Sequence, residues 1–122
     1  IASTVSHDSH NIIAIGTNDN DMLKAIEEIK RIGGGNVYVK DNTLIASLEL
    51  KIAGLMSEND VYKTKDECDE IIRVVHENGV PSDIAPFMNM AFISLPVIPS
   101  LKITTKGLVD VNNFKLISLF ED

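Results

Sequence analysis

The stretch from Met22 to Leu50 constrains this chain most. Met22, Ile26, Ile29 and Ile32 recur at helical spacing, with Glu27, Glu28, Lys30 and Arg31 between them. Gly33-Gly34-Gly35 stops the pattern, since glycine accepts the left-handed backbone found just past a helix C-terminus. The period then changes. Asn36-Val37-Tyr38-Val39-Lys40 alternates as a strand, Asp41-Asn42 predicts a two-residue turn, and Thr43 to Leu50 forms the return strand. Strict alternation puts Leu44, Ala46, Leu48 and Leu50 on one face and Ile45, Ser47 and Glu49 on the other.

Around this block the elements interleave. Ile1 to Val5 suits an extended arm. The polar run Ser6-His7-Asp8-Ser9-His10-Asn11 leads into Ile12-Ile13-Ala14-Ile15, whose unbroken apolar character predicts a strand buried on both faces. Gly16 to Asp21 is turn and cap chemistry, with Asn18 or Asp19 able to cap the first helix. After the connection Lys51 to Ser57, Ser57 or Asn59 opens a second helix running to about Asn78. Its apolar face is Val61, Cys68, Ile71, Ile72 and Val75; Gly79 and Pro81 end it. The apolar run Phe87 to Leu95 predicts a buried strand at about Met88 to Ser94, Leu101 to Val109 an irregular segment with a turn at Lys106-Gly107, and Phe114 to Phe120 a short last strand. Met56, Met88 and Met90 read as core. The fold class is α/β in the broad sense (α+β): a mixed β-sheet with a hairpin and two main helices packed on it. The 122 residues suit one domain, 1–122. The start at Ile1, without a methionine, suits a piece of a longer polypeptide.

A net charge of −7 with scattered basic residues argues against nucleic acid and anionic membranes as partners. No apolar run reaches the length of a membrane span, and no signal peptide is visible. The single cysteine, Cys68, excludes an internal disulfide or a multi-thiolate zinc site and fits a reducing cytoplasm. Within a helical pattern it reads as a small packing residue rather than a nucleophile.

The chemistry concentrates in Ser6 to Asn11. A Ser-His-Asp triad is excluded for an extended segment, because Ser6, His7 and Asp8 are adjacent and alternate side chains leave opposite faces. His7 and His10 can share a metal only if the segment curls, and further ligands would be needed. Two readings remain: a hydrogen-bonded turn before the strand, or a polar contribution to a pocket that recognises a heterocycle. His76, at a helix C-terminus, complements the helix dipole. Gly16-Thr17-Asn18-Asp19 lacks the glycines and lysine of a phosphate loop, and its acids repel phosphate.

Several stretches, in this order, resemble the C-terminal region of bacterial and archaeal-type adenine deaminases of the amidohydrolase superfamily. They are Ser6-His7-Asp8-Ser9-His10-Asn11-Ile12-Ile13, Gly16-Thr17-Asn18-Asp19, Gly33-Gly34-Gly35, Ile52-Ala53-Gly54-Leu55-Met56-Ser57, Pro86-Phe87-Met88, Ser94-Leu95-Pro96-Val97-Ile98-Pro99 and Gly107-Leu108-Val109-Asp110-Val111. The resemblance implies a cytoplasmic, homo-oligomeric parent enzyme that converts adenine and water to hypoxanthine and ammonia. It also implies a divalent metal, manganese or iron, held in an N-terminal barrel whose ligands lie outside this chain. The fragment alone would then be inactive, with no catalytic or metal residue of its own. His7, Asp8, His10 and Asn11 are its substrate-site candidates. The alternative is a structural or oligomerisation domain in which the same residues form a satisfied turn.

Overall fold

The computed structural model describes residues 1–7 and 9–120; Asp8, Glu121 and Asp122 lie outside the described residues. The elements run β1 (Ala2–Ser3), β2 (Ile13–Ala14), α1 (Asp19–Ile32), β3 (Gly35–Lys40), β4 (Thr43–Glu49), α2 (Val61–Glu77), α3 (Pro86–Ala91), β5 (Leu101–Thr104), β6 (Gly107–Asp110) and β7 (Lys115–Ile117). They build an α+β fold with two sheets, ordered β2-β1-β3-β4 and β5-β6-β7. β1 pairs antiparallel with both β2 and β3. β2 and β3 therefore run in the same direction with β1 between them, a split β-α-β unit closed by α1. Because β1 fills that gap, every neighbouring pair among the described residues is antiparallel rather than mixed.

The first helix starts where its cap chemistry directs. Asn18 Oδ1 accepts from the Asp21 N–H at 2.9 Å, and Gly33 ends the helix at φ 82°. Asp21 also reaches across to the hairpin. Its carboxylate accepts from the N–H groups of Asn42 at 2.7 Å and Asp41 at 3.2 Å. Asp41 and Asn42 form the expected turn at φ 50° and 58°. Gly35 is required at the start of β3: at φ +133°, an added Cβ would lie 1.9 Å from the Leu48 carbonyl oxygen.

The hairpin contains a bulge that alternation alone does not foresee. Tyr38 opposes Ala46 while Val39 opposes Leu44, so Ile45 is the extra residue. The bulge reverses the facing of the strand. Leu44 joins Ala2, Val37 and Val39 against Ala25, Ile29 and Ile32 of α1. Ala46, Leu48 and Leu50 join Tyr38 against Ile71 and Val75 of α2. The expectation that these four residues share one face is corrected accordingly. The sheet thus separates two apolar clusters, one under each helix.

Other expectations are corrected too. The Ile1–Val5 arm supplies β1, an inner strand, because Ala2 is small enough to lie fully buried under α1. β2 is an edge strand, and Ile12 and Ile15 beside it are exposed rather than buried on both faces. Asp60, not Ser57 or Asn59, caps α2 by accepting from the N–H groups of Tyr62 and Lys63. Val61 is consequently in the exposed first turn, and Ile72 also faces outward. Phe87 to Leu95 begins as helix α3, where Pro86 takes a first-turn position that needs no N–H. Leu101 to Val109 is a regular hairpin closed by Gly107 at φ 124°. Met90 is buried, while Met56 and Met88 are exposed. The last strand forms at Lys115–Ile117, within the span expected.

Candidate functional site

The polar run curls rather than extending. The His10 N–H donates to the Ser6 carbonyl at 2.6 Å, and His10 itself has a positive φ of 50°. Ser6 is fully buried, and its hydroxyl pairs with that of Ser94 at 2.6 Å. The next N–H, that of His7, donates to the carbonyl of Ala91 at the end of α3. The His7 ring stacks on Phe92, with centroids 5.6 Å apart and planes inclined by 17°. Buried Ser6 thus anchors a turn whose imidazoles, His7 and His10, are exposed. Asn11 is exposed and donates from Nδ2 to Ser9 Oγ at 3.2 Å. Asp8, the fourth candidate, lies outside the described residues.

This geometry limits the chemistry. Ser6 is locked to Ser94 and unsuited to act as a nucleophile. The curl that joint ligation by His7 and His10 would require does exist. Among the described residues, however, no three His, Cys, Asp or Glu side chains are placed to hold a metal ion. The donor set present therefore does not fit a complete metal centre. Ser9 and Asn11 instead line a cleft of about 480 Å³, together with Ile12 to Ile15, Ile93, Ser94, Pro96 and Ile103 to Thr105. His7 and His10 stand outside that lining.

The remaining polar motifs serve the scaffold. His76 Nδ1 donates to the Val80 carbonyl at 3.0 Å, closing the end of α2. Burial pushes the Cys68 thiol pKa up, with Asp69 and Glu67 adding to the effect, as suits a packing cysteine. Ile52 to Met56 is a tight turn with Ala53 and Gly54 at positive φ. Thr4 clamps it: the Thr4 hydroxyl donates to the Gly54 carbonyl at 2.6 Å and accepts from the Gly35 N–H at 2.8 Å. Phe92 and Ser94, which hold the polar turn, were not separable in the sequence from their apolar run. Their partners lie more than 80 residues away, and a lone hydroxyl and a lone aromatic gave no periodic signal.

The fold and site define an α+β domain that presents a polar turn beside an apolar cleft, without a complete metal centre among its described residues. The chain belongs to the adenine deaminase C-terminal domain family, whose model matches residues 1–115. It is 50% identical to adenine deaminase 2 of Carboxydothermus hydrogenoformans over 117 residues, which are 96% of this chain and 20% of that protein. It is 52% identical to the adenine deaminase of Clostridium acetobutylicum over 118 residues, 96% of this chain and 21% of that protein. For the adenine deaminase of Thermosipho africanus the identity is 49% over 120 residues, 98% of this chain and 21% of that protein. The chain thus spans about a fifth of the length of these relatives. Among the described residues, no helix is long and apolar enough to cross a membrane.

Proposed function

We propose that this chain is a single domain, 1–122, forming the C-terminal part of an enzyme that hydrolyses adenine to hypoxanthine and ammonia. The observation that carries this reading is the family match over residues 1–115, joined by about half identity to relatives named adenine deaminase. The parent acts as a cytoplasmic homo-oligomer, and its adenine site lies on an N-terminal barrel of the amidohydrolase type. A divalent metal, manganese or iron, held by ligands outside this chain, would supply the activation of water at neutral pH. On this reading the residues of this chain would not hold that metal. Their part is to bind and orient.

His7, Asp8, His10 and Asn11 meet the purine, or the groups that hold it, when the domain is seated on the barrel. Two features support this. His7 and His10 are exposed on a turn that is itself rigidly held, and the His7 ring is oriented by its stack on Phe92. A ring held in this way can offer a hydrogen bond to a heterocycle at little entropic cost. In the full-length enzyme, His7→Gln and Asp8→Asn should each lower turnover by about 100-fold, the loss expected when a bound substrate is misplaced by about 1 Å. Melting temperature and metal content should be unchanged.

A second reading has its own observation. The hydrogen bonds of Ser6, His10 and Asn11 are local or to the scaffold, as a satisfied turn would make them. On that reading the domain serves packing and assembly only. Unchanged turnover in both variants, with reduced stability, would establish it and remove the substrate-site role.

A further inference from the structure

The cleft beside the polar turn has the character of an interface. One wall is the β2 segment, the outermost strand of its sheet, and its outer edge carries no partner strand among the described residues. Solvent-facing edges are ordinarily blunted by charge, proline or a bulge. Here the segment is Ile12-Ile13-Ala14-Ile15, with Ile12 43% and Ile15 41% exposed. The other wall includes Ile93, Pro96 and Ile103.

Ile103 also belongs to a face of the second sheet. It shares that face with Leu101, two residues away on the same strand, and is itself 56% exposed. The cleft therefore opens onto the sheet face, and the two form one apolar surface. No charged side chain occurs among the described residues lining the cleft, although the chain carries a net charge of −7. Depletion of charge with enrichment of large apolar groups marks the core of a protein interface rather than a site for a charged small molecule.

We propose that this surface, the cleft between β2 and β5 with the adjoining Leu101–Ile103 face, is where the rest of a longer polypeptide seats. The proposal rests on the reading that the chain is the C-terminal part of an adenine deaminase. The relatives supply the occupant: the matched region is only 20–21% of their length, leaving about four-fifths to be accommodated. The placement also has a consequence for chemistry. Ser9 and Asn11 line the cleft, so a body seated there meets the polar turn at its rim.

The test uses the full-length polypeptide with a protease site introduced just before Ile1. Size-exclusion chromatography after cleavage reports whether the two parts stay together. They should co-elute in the wild type and in Leu23→Lys, a control at an exposed position on α1. They should separate in Ile12→Lys and Ile103→Lys. Hydrogen exchange on the intact wild type needs no substitution, so misfolding of a lysine variant leaves no gap. Amides 12 and 14, whose N–H groups alternate away from β1, should exchange slowly there and at least ten-fold faster once the parts are separated. Co-elution of both variants, with fast exchange at 12 and 14 in the intact wild type, overturns the surface while sparing the parent-enzyme reading. Immediate separation of the wild-type parts overturns the packing reading itself. A released chain that elutes at twice its mass, with 12 and 14 still protected, assigns the surface to a second copy of this domain and also overturns the proposal.

Discussion

The four-stranded sheet and the β5–β7 sheet use similar residues and bury them differently. In the first, Ala2, Val37, Val39 and Leu48 are each at most 5% exposed, shielded by α1 on one face and α2 on the other. In the second, Leu101, Ile103 and Leu116 are each more than half exposed. Among the described residues, no helix packs extensively on that sheet. One link to the rest of the molecule is the Ile103 N–H, which donates to the Ile93 carbonyl at 3.1 Å. A small sheet ordinarily needs a covered apolar face to be stable. The first sheet satisfies that need within the chain, and the second leaves it to whatever lies against it.

This comparison can be broken at several points. The largest effect should come from Gly35→Ala, which places a methyl group against the Leu48 carbonyl at a left-handed φ. A loss of about 4 kcal/mol or more is expected, because the contact is backbone and cannot swing away. Urea denaturation measures it. Next, Ile29→Ala and Ile71→Ala, one under each helix and each 1% exposed, should cost about 2–5 kcal/mol apiece. Ile103→Ala in the same chain should stay within about 0.5 kcal/mol. Equal losses at all three sites would erase the distinction between the two sheets. A smaller effect concerns the joint between the polar turn and the segment before β5. A double-mutant cycle on Ser6→Ala and Ser94→Ala should give a coupling of about 1 kcal/mol, whereas additivity would mean that the hydroxyl pair contributes nothing.

The smallest effect lies at Asp21. Hydrogen bonds from the Asn42 N–H, the Asn18 side chain and the Asp41 N–H hold its carboxyl pKa below the ordinary aspartate value. A folded-state pKa below the unfolded one adds stability that is present above the unfolded pKa and lost as pH falls through the folded pKa. Hydrogen exchange at amides 41 and 42 should therefore accelerate several-fold, relative to the β3 amides, as the medium is acidified through that window. Asp21→Asn should remove this acid dependence. An unchanged pH profile in the variant would show that the carboxylate does not secure the turn.

Much of the four-stranded region was legible because its signals are local. Asn18, Gly33 and Asp41-Asn42 each dictate backbone geometry within a few residues, and all three act where the sequence placed them. The failures were failures of context. An apolar run such as Ile12 to Ile15 has the same appearance whether it is buried by its own chain or reserved for another surface. Phe87 to Leu95 carries β-branched and aromatic residues, yet Pro86 starts a helix there, and the run's apolarity does not specify a period. The polar turn was recognisable as chemistry from its composition. Its anchor was not, because Ser94 and Phe92 reach it through tertiary contacts alone.

The bulge at Ile45 has a consequence for how the domain comes apart. Since it sends Leu44 to the α1 cluster and Leu48 to the α2 cluster, one strand is a shared wall of both. Neither cluster can open fully without exposing the strand that completes the other. The two helices should therefore melt in a single cooperative transition, with the amides of β3 and β4 the last to exchange. Without the extra residue, β4 would feed only one cluster, and β3, with Val37 on one face and Tyr38 on the other, would be the strand left to join the two.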